Sequence, residues 1–141
     1  MEKLLLEFIN TLDLSLKNFQ EALDDESGFS RLTISQFQYI NAIHELGRPA
    51  FSEIADKLRI TKASVTAGIN RLIDLGYVIK IRSSQDKRVF HVSLTATGRS
   101  LIAAKYKALN QYGEFVAAAL TEEEARQFEH TLTKLVGLFK Q

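Results

Sequence analysis

Arg82, Asp86, Lys87 and Arg88 gather four charges within seven residues. One carboxylate among three bases is the wrong ratio for holding a metal ion. The Asp86-x-Arg88 spacing instead lets the carboxylate accept a charge-assisted hydrogen bond and hold the guanidinium extended. An extended arginine on a hairpin tip suits a narrow minor groove, whose negative potential attracts it. A second set lies upstream. Arg59 and Lys62 are followed by Ser64, Thr66, Ala67, Asn70 and Arg71. Small residues at Ala63 and Ala67 allow close approach to base edges, and Asn70 and Arg71 can hydrogen-bond bases or phosphates. Ser64 and Thr66 suit phosphate or base contacts near a helix N-terminus. Asp74 is a poor contact and belongs at the edge of such a groove.

Bond-breaking chemistry finds no support. Cysteine is absent, so thiol catalysis, disulfides and zinc ribbons are excluded. The three histidines, His44, His91 and His130, are scattered and form no His-x-x-x-His pair; no metal site is expected. There is no Gly-x-Ser-x-Gly elbow and no phosphate loop, so neither catalytic residues nor a cofactor are expected. His44 shares an apolar face with Phe37 and Ile40, which reads as a core or interface histidine. Phe37, Tyr39 and His44 are nonetheless candidates for the wall of a small-molecule pocket. Aromatics at helical spacing are more often core.

The elements that carry these residues can be read from periodicity. Leu5, Ile9, Leu12, Leu16, Phe19 and Leu23 draw one stripe of a first helix. Leu4, Leu6, Phe8 and Leu14 lie off it, so this helix needs more cover than one small domain provides. It should end near Asp24, Asp25 and Glu26, with a loop at Ser27 and Gly28. Thr33 and Gln36 form a capping box for a second helix, with Leu32 and Phe37 as its staple; Gly47 and Pro49 end it. A short helix spans 52–58. Arg59 and Ile60 make a tight turn, Thr61 caps, and a longer helix runs over 62–75 with Val65, Ile69 and Leu72 inward. Gly76 stops it. The period then falls to two: Tyr77, Ile79 and Ile81 alternate with Val78, Lys80 and Arg82, and alternation resumes at Phe90, Val92 and Leu94, a hairpin with a polar tip. Thr95 caps a long helix. Thr121 with Glu124 caps the last one, and Glu122 to Glu124 favour its N-terminus.

Helix, tight turn, helix and two-stranded hairpin, in that order, make a helix-turn-helix with a wing, whose second helix enters the major groove. The expected fold class is mainly α with a small β-hairpin wing and about six helices. Residues 33–98 form the winged helix-turn-helix; 1–26 and 99–141 form a helical dimerisation part of a single chain, 1–141. Charge distribution agrees. Residues 1–47 hold 3 Lys/Arg against 8 Asp/Glu, 48–99 hold 10 against 4, and 100–141 hold 5 against 5, within a net charge of +1. A basic middle suggests that this segment meets a polyanion. At 45% hydrophobic and 25% charged, the 141 residues suit one globular domain. No leader is expected, since Glu7 and Asn10 break the opening apolar run, and nothing approaches the ~20 apolar residues of a membrane span. A cytoplasmic location without membrane partners is expected.

The stretch Phe51-Ser52-Glu53-Ile54-Ala55-Asp56-Lys57-Leu58, then Thr61 to Thr66, Asn70-Arg71-Leu72, Gly76, Arg82, Asp86-x-Arg88 and Leu94-Thr95-x-x-Gly98 resembles the MarR family of bacterial and archaeal regulators. The resemblance runs along nearly the whole chain. It implies an intertwined homodimer, a repressor that binds double-stranded DNA at a pseudo-palindrome, and release by a small amphipathic or anionic effector. The alternative is a winged-helix dimer that binds protein without DNA. One departure is Arg59, where the family commonly has glycine; if left-handed, it costs on the order of 1 kcal/mol.

Overall fold

The computed structural model describes residues 1–23 and 32–140. The expected end of the first helix near Asp24 and the loop at Ser27 and Gly28 lie outside these residues. Six helices and one hairpin follow in the order α1 (Glu2–Leu23), α2 (Ile34–Leu46), α3 (Phe51–Leu58), α4 (Lys62–Asp74), β1 (Val78–Arg82), β2 (Phe90–Leu94), α5 (Ala96–Ala118) and α6 (Glu122–Phe139). The chain divides into two compact units, 1–106 and 107–141. Among the described residues, no helix is long and apolar enough to cross a membrane.

In the first unit the core is the winged helix. Ile40 and Ile43 of α2, Ile54 of α3, Val65, Ile69 and Leu72 of α4, and Val78 and Val92 of the hairpin are all at most 1% exposed. Each such side chain contributes up to about 1.5–3 kcal/mol of apolar burial. Leu101 and Ile102 of α5 close the cluster. Local signals set the helix ends. Thr33 accepts from the Gln36 N–H at 3.1 Å while the Gln36 side chain accepts from the Thr33 N–H at 3.0 Å. Thr61 accepts from the Ser64 N–H at 3.2 Å.

α3 and α4 end in the same way. The Ile60 N–H reaches back to the Ala55 carbonyl, and the Arg59 N–H to Asp56. The Tyr77 N–H reaches Leu72, and the Gly76 N–H reaches Ile73. This double closure needs a left-handed residue. At the end of α4 that residue is Gly76, at φ +84°. At the end of α3 it is Arg59, at φ +53° and ψ +48°, and among the described residues it alone is a non-glycine at positive φ.

The hairpin pairs antiparallel, Val78 with Leu94, Lys80 with Val92 and Arg82 with Phe90, and Ala50 adds a single bridge to His91. The inward parity of β1 is therefore that of Val78, Lys80 and Arg82. Ile79 and Ile81, which the apolar alternation would turn inward, are 47% and 38% exposed. The reason lies across the sheet. Lys80 Nζ stands 4.2 Å from the Phe90 ring centre and 5.4 Å from that of Phe51, while the Arg82 guanidinium is 5.1 Å from Phe90. The charged ends of both side chains lie over aromatic rings on this face.

α5 starts on the wing. Thr95 accepts from the Gly98 N–H at 3.1 Å and donates to the Gly76 carbonyl at 2.6 Å. A Cβ on Gly98 would stand 2.3 Å from the Tyr77 carbonyl oxygen, so no larger residue fits. These contacts explain the Leu94-Thr95-x-x-Gly98 pattern.

α1 carries Leu4, Leu5, Leu6, Phe8, Ile9 and Leu14 exposed, with Leu12 and Leu16 half-buried. In the second unit, α6 has no buried residue, and Phe128, Leu132, Leu135, Val136 and Phe139 are exposed. Thr121 and Glu124 form the expected capping box.

Candidate nucleic-acid interface

With Val65, Ile69 and Leu72 inward, α4 turns out a continuous face. Lys62, Ala63, Ser64, Thr66, Ala67, Asn70, Arg71 and Asp74 are all exposed, and Arg59 is exposed just before it. The hydroxyls are oriented. Ser64 Oγ accepts from Thr61 Oγ1 at 3.0 Å, and Thr66 Oγ1 donates to the Lys62 carbonyl at 2.9 Å. Ser64 thus keeps its proton for an outside acceptor, whereas Thr66 can only accept. The first turn of α4 offers the Ser64 hydroxyl at the positive end of the helix dipole, with Thr66 just beyond that turn.

The wing tip forms the expected pair. Asp86 Oδ1 accepts from the Arg88 backbone N–H at 3.0 Å and from Arg88 Nε at 3.2 Å, and Oδ2 accepts from an Nη at 3.4 Å. The backbone N–H, then the guanidinium, hold the Asp86 carboxyl below its ordinary range. The Arg88 side chain is 91% exposed, so this fork fixes direction without burying charge. Lys87 is exposed beside it, and Arg82 leans on Phe90 at the root of the tip.

Of the three residues expected to line a pocket, Phe37 lines the one described next. A cavity of about 300 Å³ is lined by Phe37, Gln38, Asn41, Ala42, Lys57, Leu58 and Lys105. Lys57 is paired with Glu45 at 2.7 Å, and that hydrogen bond lowers the Glu45 carboxyl. Lys105 Nζ sits 3.8 Å from the Phe37 ring centre; its burial pushes the ammonium pKa down, against the nearby charge of Glu45. Tyr39 points to α4, its hydroxyl donating to the Ser64 carbonyl at 3.0 Å. His44 is exposed rather than in the core, its ring 5.9 Å from that of Tyr106. No cluster of three metal-ligating side chains occurs among the described residues.

Sequence reasoning missed Lys57, Lys80 and Lys105, whose roles depend on aromatic rings or carboxylates far along the chain. It also passed over Gly68, although a glycine inside a helical pattern asks for a reason.

The sequence model of the MarR family matches residues 30–89, the span that holds this helix-turn-helix and wing. Over that span the chain resembles the MarR family. Among curated relatives, the transcriptional regulator PapX of Escherichia coli is 33% identical over 62% of this chain, and the match spans 54% of that protein's own length. The transcriptional repressor MdtR of Bacillus subtilis is 28% identical over 74% of this chain and 67% of its own. The solved structure of Streptococcus pneumoniae FabT in complex with DNA superposes with a TM-score of 0.79 at 27% identity, covering 99% of this chain and 94% of that one. The structural likeness thus extends beyond the winged helix into the flanking helices.

Proposed function

We propose that this chain is a DNA-binding transcriptional regulator that works as a homodimer on a pseudo-palindromic operator and represses until a small anionic effector releases it. The observation that carries the reading is the Asp86–Arg88 fork on an exposed hairpin tip, together with the exposed polar face of α4. One element has the width and side chains for a major groove; the other presents a fixed guanidinium to the minor groove. Lys62, Ser64 and Arg59 are placed for phosphates, Asn70 and Arg71 for base edges, with Ala67 giving clearance and Thr66, Arg82 and Lys87 flanking. The likeness to FabT, solved with DNA, supports this assignment.

Dimerisation is supported by the apolar residues that single units leave open on α1 and α6. Two wings and two α4 helices on a two-fold axis would read half-sites about one helical turn apart, roughly 10 bp. The repressor sign follows relatives such as MdtR. The effector reading rests on the cavity. Phe37, Ala42 and Leu58 offer an apolar wall, and Lys105 offers a partly desolvated ammonium. An amphipathic carboxylate answers both.

The test is selection of bound genomic fragments, followed by mobility shifts across a salt series. DNA binding through phosphates predicts affinity falling steeply with salt. Binding that ignores salt, or none, refutes the reading and leaves the protein-binding alternative. Phenolic and fatty acids added to the same shift test release, and Lys105→Met should remove their effect.

A further inference from the structure

Tyr39 touches α4 at two points one turn apart. Its hydroxyl donates to the Ser64 carbonyl at 3.0 Å. Its ring lies where a Cβ on Gly68 would be, 2.5 Å from Cε2 and 2.6 Å from Cζ. Glycine inside a helix costs about 1 kcal/mol relative to alanine, so its place in the middle of α4 calls for a compensating contact. The ring against the bare Cα is that contact. Any side chain at position 68 would have to displace the Tyr39 ring.

Two contacts along one edge of a helix fix both its height and its rotation. Ser64 and Gly68 flank Ala67 and precede Asn70 and Arg71, the residues turned outward. Rotating α4 by about 10° moves atoms at its 5–6 Å outer radius by about 1 Å. Bidentate contacts to base edges tolerate about 0.5 Å. Burial of Val65, Ile69 and Leu72 holds α4 in the core, but apolar packing is non-directional and allows small rotations. The Tyr39 hydroxyl supplies a directional bond, and burial pushes its pKa up, which keeps it a donor.

We infer that Tyr39 and Gly68 form a positioning pair that sets the rotation of α4, and so govern sequence discrimination without touching DNA. This rests on the DNA-binding reading. In the intact dimeric protein, Tyr39→Leu should lower affinity for a selected operator by about tenfold, a loss comparable to one mismatched base pair. Affinity for a scrambled 30-bp duplex should stay within about twofold, because phosphate contacts carry no sequence information. Tyr39→Phe, which keeps the ring and loses only the hydrogen bond, should give a smaller loss of the same kind. Gly68→Ala should harm discrimination when Tyr39 is present and restore part of it in the Tyr39→Leu background, where the methyl refills the space. Thermal melting of each variant separates positioning from misfolding, since loss of folded protein lowers both affinities together. An unchanged ratio of operator to scrambled affinity in Tyr39→Leu and Gly68→Ala would overturn the inference. A wild type that shows no operator preference at all would instead overturn the function on which it rests.

Discussion

Arg59 invites a substitution whose effects on folding and on binding should have opposite signs. Its backbone sits at φ +53° because the end of α3 demands a left-handed residue. For an L-residue that conformation costs about 1–2 kcal/mol. Glycine would remove the cost but adds back about 0.5–1 kcal/mol of unfolded-chain entropy. The net gain for Arg59→Gly is about 0.5–1 kcal/mol, while Arg59→Ala keeps the strain and should gain nothing. A chain of 141 residues unfolds with about 0.3 kcal/mol/K of entropy, so the glycine variant should melt about 2–3 °C above the alanine variant. Binding should move the other way. Both variants lose one cation per protomer from the turn proposed to face DNA, and the salt slope of a dimer should fall by about 2. Thermal melts and salt-dependent mobility shifts on the three proteins measure both halves. If glycine and alanine variants melt together, the left-handed strain is not there. If both bind with the wild-type slope, the side chain does not meet a phosphate, and the strain has no functional return.

Other expectations are equally direct. Arg88→Ala should weaken operator binding more than Asp86→Ala, and the Asp86 effect should vanish in the Arg88→Ala background, because the carboxylate acts through the guanidinium; equal, additive losses would refute that coupling. The Asp86 carboxyl is held below its ordinary range, so its grip on Arg88 is complete above that range and is lost only as pH falls through the lowered value. The affinity difference between wild type and Asp86→Asn should therefore stay flat from about pH 7 to about pH 5, and a difference that closed within that window would contradict the geometry. Lys105 shows the same direction from the opposite cause: burial disfavours its charge, so its lowered pKa means that stability increases as pH rises through the folded value, and a bound carboxylate should cancel that dependence in a melt with and without a fatty acid. Sedimentation should find a dimer at micromolar concentration, and a folded monomer would leave the open faces of α1 and α6 unexplained.

What could be read from sequence was what the chain settles locally. Asp86 and Arg88 are two residues apart, and their fork is a property of one turn. Thr33, Thr61 and Thr121 cap helices through partners three residues on. The tight turn at Arg59 and Ile60 follows from where α3 must stop. Contacts between distant residues were not legible. Tyr39 and Gly68 meet across 29 positions, and neither residue type names the other. The inward face of β1 was hidden for a different reason. Lys80 and Arg82 look polar in an alternating pattern, yet their charged ends lie over Phe90, and that of Lys80 also over Phe51, leaving Ile79 and Ile81 outside. His44 shows the same limit: a shared helical face does not say whether another element will cover it.

The bond from Thr95 to the Gly76 carbonyl clasps the wing at its root, with the whole hairpin enclosed between residues 76 and 95. What lies beyond Arg82 and Phe90 can then change length without disturbing the core. Lengthening a flexible loop is inexpensive, about 0.6 kcal/mol for each doubling. Residues inserted near Ser84 and Gln85 would extend the reach of the tip and leave α4, α5 and the cap between them as they are. The fold thus separates two properties that selection can tune independently: how far the wing extends, and how firmly the body that carries it is held.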